Sequence, residues 1–395
     1  MTRQVGPYPQ SPADETILNL GLGQPSPDLL PLDAIREAAA RRFAAGTDPL
    51  ILQYGAMAGY AGFRDALAGF LTERYRHQVI ADELVITGGT SLALSMVAQV
   101  FSRPGDTVAC GDPTYFLARG ILESHHLDLL GVPVDDGGLD VDALEHSLKE
   151  GLDIAFCYVI PSFHNPCGVT FRPERAERLV ELADRHDFVI VADEPYPLLH
   201  FGPDPPPCMM AYDRGRGRVL GLGSFSKILG PGLRLGWSHA HPKLLERLLT
   251  HGTFRSGGAL NPVMSSVVHG CIEDGFLARH VDRLRAELKL RAEALTVALR
   301  TELPGVEVAE PAGGYFVWLR LADRDTAALL RLSRDHHRVT FTPGHRCAVT
   351  RDLSDRLRLS FSFYSPDELQ QAVTRLRHAI EAADVLGKSR ERTAP

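Results

Sequence analysis

The sequence predicts an α/β fold, in which a mostly parallel sheet lies between helices and a smaller α+β domain follows. Residues 154–160 and 188–192 are continuous apolar runs, which are typical of strands buried on both faces. A helical pattern over residues 173–186 separates them, and such alternation of strand and helix favours parallel pairing. After Trp237 the alternation stops and a long helical pattern begins, which predicts the second domain.

Composition and charge exclude several classes of protein. The 395 residues are 44% hydrophobic and 23% charged, an ordinary globular composition. The formal net charge is −7 and no long Lys/Arg run occurs, so we expect neither a nucleic-acid nor a membrane partner. No apolar stretch reaches the roughly 20 residues that span a bilayer, and residues 1–14 lack the apolar core of a signal peptide.

The six cysteines are scattered and form no Cys-x-x-Cys pair. In a chain of this size, that pattern predicts reduced thiols in a cytoplasmic protein and no zinc site. We expect no metal.

Three parts are predicted along the chain. Residues 1–45 are expected to form an arm and a helix that join the small domain, residues 46–275 the large domain, and residues 276–395 the small C-terminal domain. The arm is predicted to be loose over residues 1–16 and extended over 17–25, and Asp33 to cap a helix that ends near residue 45.

Further elements follow in order. Helices are predicted over residues 61–76, 92–101, 173–186, 276–301 and 366–382, and a disordered charged tail from there to residue 395. Strands are predicted over residues 84–87, 107–110, 128–132, 154–160, 188–192, 219–223, 313–319, 339–344 and 356–363. In the last of these, polar and apolar residues alternate, which indicates a half-buried strand.

One stretch at a strand end can hold a phosphorylated ligand. The apolar run of residues 219–223 leads into Ser224, Ser226, Lys227, a Gly-Pro-Gly turn and Arg234. Hydroxyls and a guanidinium bind phosphate, and a desolvated lysine is a nucleophile towards aldehydes. A surface lysine in a glycine-rich loop would give the same short string, so this stretch alone leaves both interpretations open.

A second strand end forms a generic anion site. Residues 84–87 run into Gly88, Gly89, Thr90 and Ser91 and then into a helix, whose first N–H groups face a ligand. The spacing matches neither a dinucleotide nor a nucleoside-triphosphate motif, and an ordinary turn is the alternative. Other clusters, at residues 112–115, 162–170 and 193–196, also follow predicted strands, and the carboxyl ends of parallel strands are where ligands bind.

Taken together, these strings resemble one family, the fold-type I pyridoxal 5'-phosphate (PLP) enzymes of the class I/II aminotransferase group. The chain is most similar to the subgroup of 2-aminoadipate aminotransferases and effector domains of MocR-type regulators. The resemblance covers about residues 20–376 and implies a seven-stranded type of sheet. It is carried by Gln53-Tyr54-Gly55 with Gly59-Tyr60, Gly88-Gly89-Thr90-Ser91, Asp112-Pro113-Thr114-Tyr115, Asn165-Pro166-x-Gly168, Asp193-Glu194-Pro195-Tyr196, residues 224–237 and Arg358-Leu359-Ser360-Phe361.

The resemblance implies the catalytic roles. Lys227 would carry the cofactor as an imine and later move a proton between the substrate α-carbon and cofactor C4'. Asp193 would pair with the ring nitrogen, and Tyr196 with Asn165 would hydrogen-bond the phenolic oxygen. Tyr115 would stack on the ring.

It also implies the binding roles. The cofactor phosphate would be held by Ser224, Ser226, Arg234 and the Gly89, Thr90 and Ser91 turn, and by Tyr54 of a neighbouring subunit in a homodimer with shared active sites. Arg358 would bind the substrate α-carboxylate, with Gly23 and Asn165 also beside the substrate. Arg356 shares the face of Arg358 in the predicted strand, so either arginine could fill that role.

The implied activity is transfer of an amino group from an α-amino acid to a 2-oxo acid by a ping-pong mechanism. Elimination, decarboxylation or oxidation of an amino acid on the same scaffold is an alternative, and a non-catalytic PLP sensor is another. No helix-turn-helix domain precedes the arm, which argues against a full-length regulator. Cys167 stands where the family often has Thr, and His164 could touch substrate. The identity of the side chain that the site accepts is not predicted.

Overall fold

The computed structural model describes Asp14 and residues 16–393, with residues 386–393 described as backbone. The strands, in chain order, are β1 (Leu18–Asn19), β2 (Leu84–Thr87), β3 (Thr107–Asp112), β4 (Asp128–Asp135), β5 (Gly138–Leu139), β6 (Phe156–Val159), β7 (Val189–Asp193), β8 (Val219–Ser224), β9 (Gly236–Ala240), β10 (Phe316–Arg320), β11 (Val339–Thr340), β12 (Thr342–Pro343) and β13 (Arg356–Ser360).

The α-helices alternate with these strands in the first two thirds of the chain. They are α1 (Leu32–Arg42), α2 (Ala61–Tyr75), α3 (Thr90–Phe101), α4 (Phe116–Ser124), α5 (Val141–Lys149), α6 (Pro173–His186), α7 (Met210–Asp213), α8 (Pro242–Leu248), α9 (Gly252–Gly257), α10 (Pro262–Glu273), α11 (Phe276–Glu302), α12 (Thr326–His337) and α13 (Pro366–Thr393).

The large sheet has the strand order β2-β9-β8-β7-β6-β3-β4-β5. From β4 to β8 the pairs are parallel, while β9 runs antiparallel to both β8 and β2. Strand β2 is therefore parallel to β8, and both end at the same edge. The predicted mostly parallel α/β sheet is confirmed, with eight strands in the described part of the chain where the resemblance implies seven, because the two-residue strand β5 pairs with the edge strand β4.

Helices cover the sheet because its central strands are apolar on both faces. Ile190 and Ala192 of β7 enter one hydrophobic core, and Val189 and Val191 enter another on the opposite face. Alternate side chains of a strand point to opposite faces, so a strand without polar positions must be covered on both.

The C-terminal part contains a three-stranded antiparallel sheet, β10-β13-β12. Helix α13 packs against both α11 and α12. The N-terminal segment joins this part through the parallel pair β1–β11, whereas α1 packs against α10. The division into three domains stays a proposal.

Two predictions about helix ends are wrong. Asp33 does not cap α1: the helix begins at Leu32 after Pro31, and Asp33 lies in its first turn, 2.9 Å from Arg36. A carboxylate in the first turn still favours a helix through its dipole. Helix α13 continues to Thr393 instead of ending near residue 382, because Arg, Lys and Glu are good helix formers as well as residues typical of disorder. The predicted arm, apart from Asp14 and Thr16, lies outside the described residues.

Candidate active site

The C-terminal ends of β2 and β8 and the start of β9 meet at one edge of the large sheet. Gly236 pairs with both Thr87 and Ser224, which places the turn after β2 beside the end of β8. A Cβ added at Gly236 would lie 2.9 Å from the Gly89 Cα, so this close backbone approach requires glycine. Gly89 itself has φ +91° and precedes α3.

These strand ends bring together the groups of the predicted anion site, which we call the cradle. An ideal Cβ at Gly89 would lie 3.8 Å from both Ser224 Oγ and Arg234 Nη2. Ser224 Oγ accepts a hydrogen bond from the Ser226 N–H at 3.0 Å, and the two hydroxyls are 2.9 Å apart. Hydroxyls, a guanidinium and the N-terminus of a twelve-residue helix suit a phosphate. The structure thus brings together Gly89, Thr90, Ser224, Ser226 and Arg234, with Ser91 in the first turn of the same helix.

Lys227 follows the cradle and lies near Asp193 of the large sheet and Arg358 of the three-stranded sheet. Its Nζ donates a hydrogen bond to the Gly23 carbonyl at 2.6 Å and lies 5.5 Å from the centroid of the Tyr315 ring. Burial and, to a smaller extent, the charge of Arg358 lower the pKa of Lys227 to about 8, while the charge of Asp193 opposes the shift. The lysine is therefore held in place with a readily deprotonated amine.

Asp193 ends β7 and is buried at 5% exposure. Its Oδ2 accepts a hydrogen bond from the Tyr158 hydroxyl at 2.8 Å, while Oδ1 has no hydrogen-bond partner among the described residues. Burial raises the pKa of Asp193 to about 6, against the lowering effects of Tyr158, Thr90 and Lys227. A buried carboxylate oxygen without a donor is costly unless a ligand supplies one.

Arg358 lies in the middle of β13 and is 2% exposed. It donates to Asn165 Oδ1 at 2.7 Å, to the Gly21 carbonyl at 2.8 Å and to Thr342 Oγ1 at 3.1 Å. Its guanidinium carbon lies 4.1 Å from the centroid of the Phe316 ring. The Nε group has no hydrogen-bond partner in the described part of the chain, so it can donate a hydrogen bond to a carboxylate ligand.

Arg356 differs from Arg358 although both lie on one face of β13. Its side chain is 35% exposed and sits 3.6 Å from the Asp355 carboxylate. The strand leaves the protein interior between these two residues, so burial distinguishes arginines that the alternation pattern treats alike.

Two predicted aromatic residues border the cluster. Tyr196 is buried, with its ring centroid 5.5 Å from that of Tyr315, and burial raises the pKa of its hydroxyl. Tyr115 precedes α4 and is partly exposed, and burial together with the charge of Asp193 raises its pKa to about 12.

Tyr54 is not brought to this cluster. Its side chain is 82% exposed and lies beside Gly257. Within one chain it makes no contribution to the site.

His164 and Cys167 lie next to the cluster. His164 is buried, burial lowers its pKa to about 3, and its Nδ1 accepts from the Cys167 N–H at 3.4 Å. It borders a small cavity together with Gly111, Thr114 and Phe171. The hypothesis that His164 touches substrate remains untested.

Sequence reasoning missed several residues that hold the site. Tyr158 is the polar group in an otherwise apolar buried strand, and that exception is a signal which could have found it. Tyr315, whose hydroxyl donates to the Lys227 carbonyl at 3.2 Å, follows a glycine pair but carries no recognisable motif. The Gly21 carbonyl, Thr342 and Phe316 have no sequence signal as partners of Arg358.

The residues present fit the cofactor that the sequence resemblance implies. A pyridinium N–H would satisfy Asp193 Oδ1, the cradle at Gly89 matches a phosphate, and the Lys227 amine lies near enough to Asp193 to influence its pKa. The same cluster can bind a carboxylate through Arg358. Over residues 16–393, no helix is both long and apolar enough to cross a membrane.

Comparisons with known proteins agree with this geometry. A family model described as "Aminotransferase class I and II" matches residues 15–376. "Aromatic-amino-acid aminotransferase 1" of Thermococcus litoralis is 33% identical over 92% of this chain and 88% of its own length. "2-aminoadipate transaminase" of Thermus thermophilus is 34% identical over 92% of this chain and 90% of its own.

A solved structure agrees as well. The crystal structure of Pyrococcus horikoshii kynurenine aminotransferase matches with a TM-score of 0.86 and 32% identity, over 93% of this chain and 91% of that one. The PLP fold type I and the transferase activity that the motifs imply are thereby confirmed. The chain belongs to the class I and II aminotransferases, the PLP-dependent enzymes that its motifs resemble.

Proposed function

We propose that the Lys227 cluster binds PLP and transfers the amino group of an α-amino acid with a large side chain to a 2-oxo acid. One observation carries this assignment. The unpaired oxygen of Asp193 and the buried Arg358 belong to groups that both lie within electrostatic reach of the Lys227 amine, so a ring-nitrogen partner and a carboxylate receptor flank that amine.

The cofactor would be anchored at its phosphate by Ser224, Ser226, Arg234 and the Gly89–Thr90 turn, with Ser91 nearby. Tyr115 would cover the ring, and Asn165 with Tyr196 would bind the phenolic oxygen. Asp193, hydrogen-bonded by Tyr158, would keep the ring nitrogen protonated. When bound, PLP supplies an electron-accepting ring that stabilises negative charge at the substrate α-carbon.

Lys227 would move the proton of that α-carbon. With a pKa of about 8, about one tenth of its amine is uncharged at pH 7, far more than for an ordinary lysine, and the uncharged form accepts a proton. Its Nζ donates a hydrogen bond to the carbonyl of Gly23, a residue that we also place beside the substrate. The catalytic residues would thus be Lys227, Asp193 and Tyr196.

Arg358 would bind the α-carboxylate and fix the substrate orientation. Its hydrogen bonds to Asn165 and Gly21 hold the guanidinium, and glycine at position 23 lets the backbone pass close to Phe316, because a Cβ there would lie 2.9 Å from that ring. A receptor that keeps the α-carboxylate bound argues against decarboxylation, and no observation favours elimination or oxidation over transamination.

The substrate class rests on the relatives. Two are named for aromatic amino acids and for 2-aminoadipate, and the Pyrococcus structure is described in complex with PMP and with KYN as substrate. Aromatic and long acidic amino acids are therefore the donors that we propose.

A homodimer with shared sites is part of the proposal. Tyr54 would reach the phosphate of the partner's cofactor, and its 82% exposure supports a role outside its own chain. Exposed apolar side chains surround it in sequence, namely Leu50, Leu52 and Met57. A cytoplasmic location and a role in biosynthesis remain predictions.

The test is the absorbance of the purified enzyme. Wild-type protein loaded with PLP should show a visible band that amino acids convert to the band of the amine form, and a panel of donors and oxo acids then defines the substrates. In Lys227→Ala the lysine-linked band should disappear. Lys243→Ala, at the start of α8, is the control and should behave as wild type. An unchanged band in Lys227→Ala would overturn the assignment.

A further inference from the structure

Arg346 lies beside the cluster and has no acidic partner in the described part of the chain. It is exposed, and its guanidinium carbon lies 4.6 Å from the centroid of the Phe116 ring. The Arg358 guanidinium carbon lies 5.7 Å from the same centroid. Since both groups approach one ring, a single small molecule can reach both.

The backbone that presents Arg346 is fixed. Gly344–Arg346 is a single 3-10 turn, closed by the Cys347 N–H on the Gly344 carbonyl at 2.9 Å. The Cys347 carbonyl in turn accepts from the Thr114 N–H at 2.9 Å. A loop tied down in this way places its side chain with a smaller entropy cost than a free loop would.

The Asp112 carboxylate ties down the continuation of this loop. It accepts hydrogen bonds from the N–H groups of Val349 at 2.9 Å, Thr350 at 2.8 Å and Arg351 at 2.8 Å. Asp112 ends β3, next to the turn that carries Tyr115. The position of Arg346 is therefore coupled to the same sheet edge as the proposed cofactor site.

The other arginines of this region are engaged. Arg119 donates to the Ala348 carbonyl and lies 3.4 Å from the Glu123 carboxylate, and Arg351 donates to the Asp112 carbonyl at 3.3 Å. Arg346, in contrast, is exposed and makes no side-chain hydrogen bond or ion pair within the described residues, so its guanidinium can meet a ligand at the rim.

Charge supports an anionic ligand between the two arginines. Burial lowers the pKa of Arg358, and the charge of Arg346 lowers it further. Neither arginine has an ion pair within the described residues. An anion with a charge at each end would relieve their repulsion, whereas a ligand with one carboxylate would leave Arg346 without a partner.

We propose that Arg346 binds the distal carboxylate of a dicarboxylic 2-oxo acid or amino acid whose α-carboxylate is held by Arg358. Arg346 is then a specificity-determining residue of the reaction. This inference rests on the proposed function, because it takes Arg358 as the receptor of the α-carboxylate. Phe116 serves as the platform on which the Arg346 guanidinium is stacked.

The test compares 2-oxoglutarate with 2-oxopentanoate, which has the same chain length but no distal carboxylate. In the PLP-loaded enzyme, Arg346→Gln should raise KM for 2-oxoglutarate by about 10- to 100-fold, the loss expected for a hydrogen-bonded charge pair. The kcat/KM for 2-oxopentanoate should stay within about twofold, the range of surface substitutions. Arg346→Lys should recover part of the loss, since it keeps the charge without the planar fork.

The neighbouring His345→Gln is the matched control, because His345 is exposed on the same turn. Equal effects of Arg346→Gln on both oxo acids, or no effect on either, would overturn the proposal.

A binding measurement separates this proposal from the proposed function. Calorimetry should show that the wild-type holoenzyme binds glutarate more tightly than butyrate, and that Arg346→Gln abolishes the difference. Equal binding of the two acids by wild type would contradict the role of Arg346 while leaving transamination intact. Absence of amino transfer with every donor and acceptor would instead contradict the proposed function, and glutarate binding would still decide the role of Arg346.

Discussion

Burial shifts the proton equilibria of Lys227 and Asp193 in opposite directions. The pKa of the amine falls to about 8 and the pKa of the carboxyl rises to about 6, in each case mainly because the charged form loses hydration. Each charge limits the shift of the other. A protonated ring nitrogen beside Asp193 would favour its ionised form, so binding of the proposed cofactor should lower the pKa of Asp193.

Arg358 is buried whereas Arg356 is partly exposed, so substitutions of the two arginines should have different effects. We expect Arg358→Ala to raise KM for amino acid donors by about 100-fold, since a buried charge-assisted contact to the α-carboxylate is lost. Arg356→Ala should change KM by less than about twofold, because a partly exposed arginine contributes little. Steady-state kinetics with one donor measures both, and thermal unfolding checks that each variant is folded. A large effect confined to Arg356→Ala would mean that the wrong arginine was assigned.

At the level of elements, the site depends on a junction between the end of β3 and the loop after β12. Asp112 is fully buried and receives three backbone N–H groups and the Thr350 hydroxyl from that loop. Such an arrangement resembles the capping of a helix by an aspartate, since one carboxylate satisfies several N–H groups at once. It connects the large sheet to the strands that carry Arg358.

Removing the charge of Asp112 should therefore weaken both stability and catalysis. Asp112→Asn keeps one acceptor oxygen but turns an amide group towards N–H donors, and we expect a loss of about 2–4 kcal/mol. Urea denaturation measures the shift of the midpoint, and kcat should fall as the turn carrying Tyr115 and the loop carrying Arg346 loosen. Asp106→Asn is the control, because Asp106 is partly exposed and accepts one backbone hydrogen bond, from Arg103. Equal effects of the two substitutions on stability and kcat would contradict the stabilising role of Asp112 at this junction.

At the level of the whole molecule, the N-terminal segment links parts that are far apart in the chain. Strand β1 pairs with β11, the Gly21 carbonyl contacts Arg358, and the Gly23 carbonyl contacts Lys227. The segment thus contacts both Lys227 and Arg358. A little further along the chain, Tyr54 is exposed.

In the proposed homodimer, a substitution at Tyr54 should weaken cofactor binding in the partner subunit. Tyr54→Phe should weaken PLP binding by about tenfold, the value of one hydrogen bond to a charged phosphate, while the dimer persists. Titration of the apoenzyme with PLP gives the affinity, and sedimentation gives the oligomeric state. Tyr60→Phe, on a tyrosine whose ring packs 5.5 Å from His269, should leave PLP affinity unchanged. A monomeric wild type, or unaltered affinity in Tyr54→Phe, would contradict the shared site.

The sequence by itself determined the order of buried strands and which chemical groups follow them. Apolar runs are local patterns, and parallel strands end at one edge of a sheet. The sequence alone therefore predicts that Lys227, Asp193 and the Gly89 turn lie close to one another. The extent of α13 could not be predicted, because the same charged residues suit a helix and a disordered tail.

Only the tertiary structure decided which of these groups lack partners. Tyr158 occupies one oxygen of Asp193 and leaves the other free, Arg358 is buried while Arg356 is not, and Arg346 meets Phe116. Burial and ion pairing arise from contacts between residues distant in the chain, and a local pattern contains no information about such contacts.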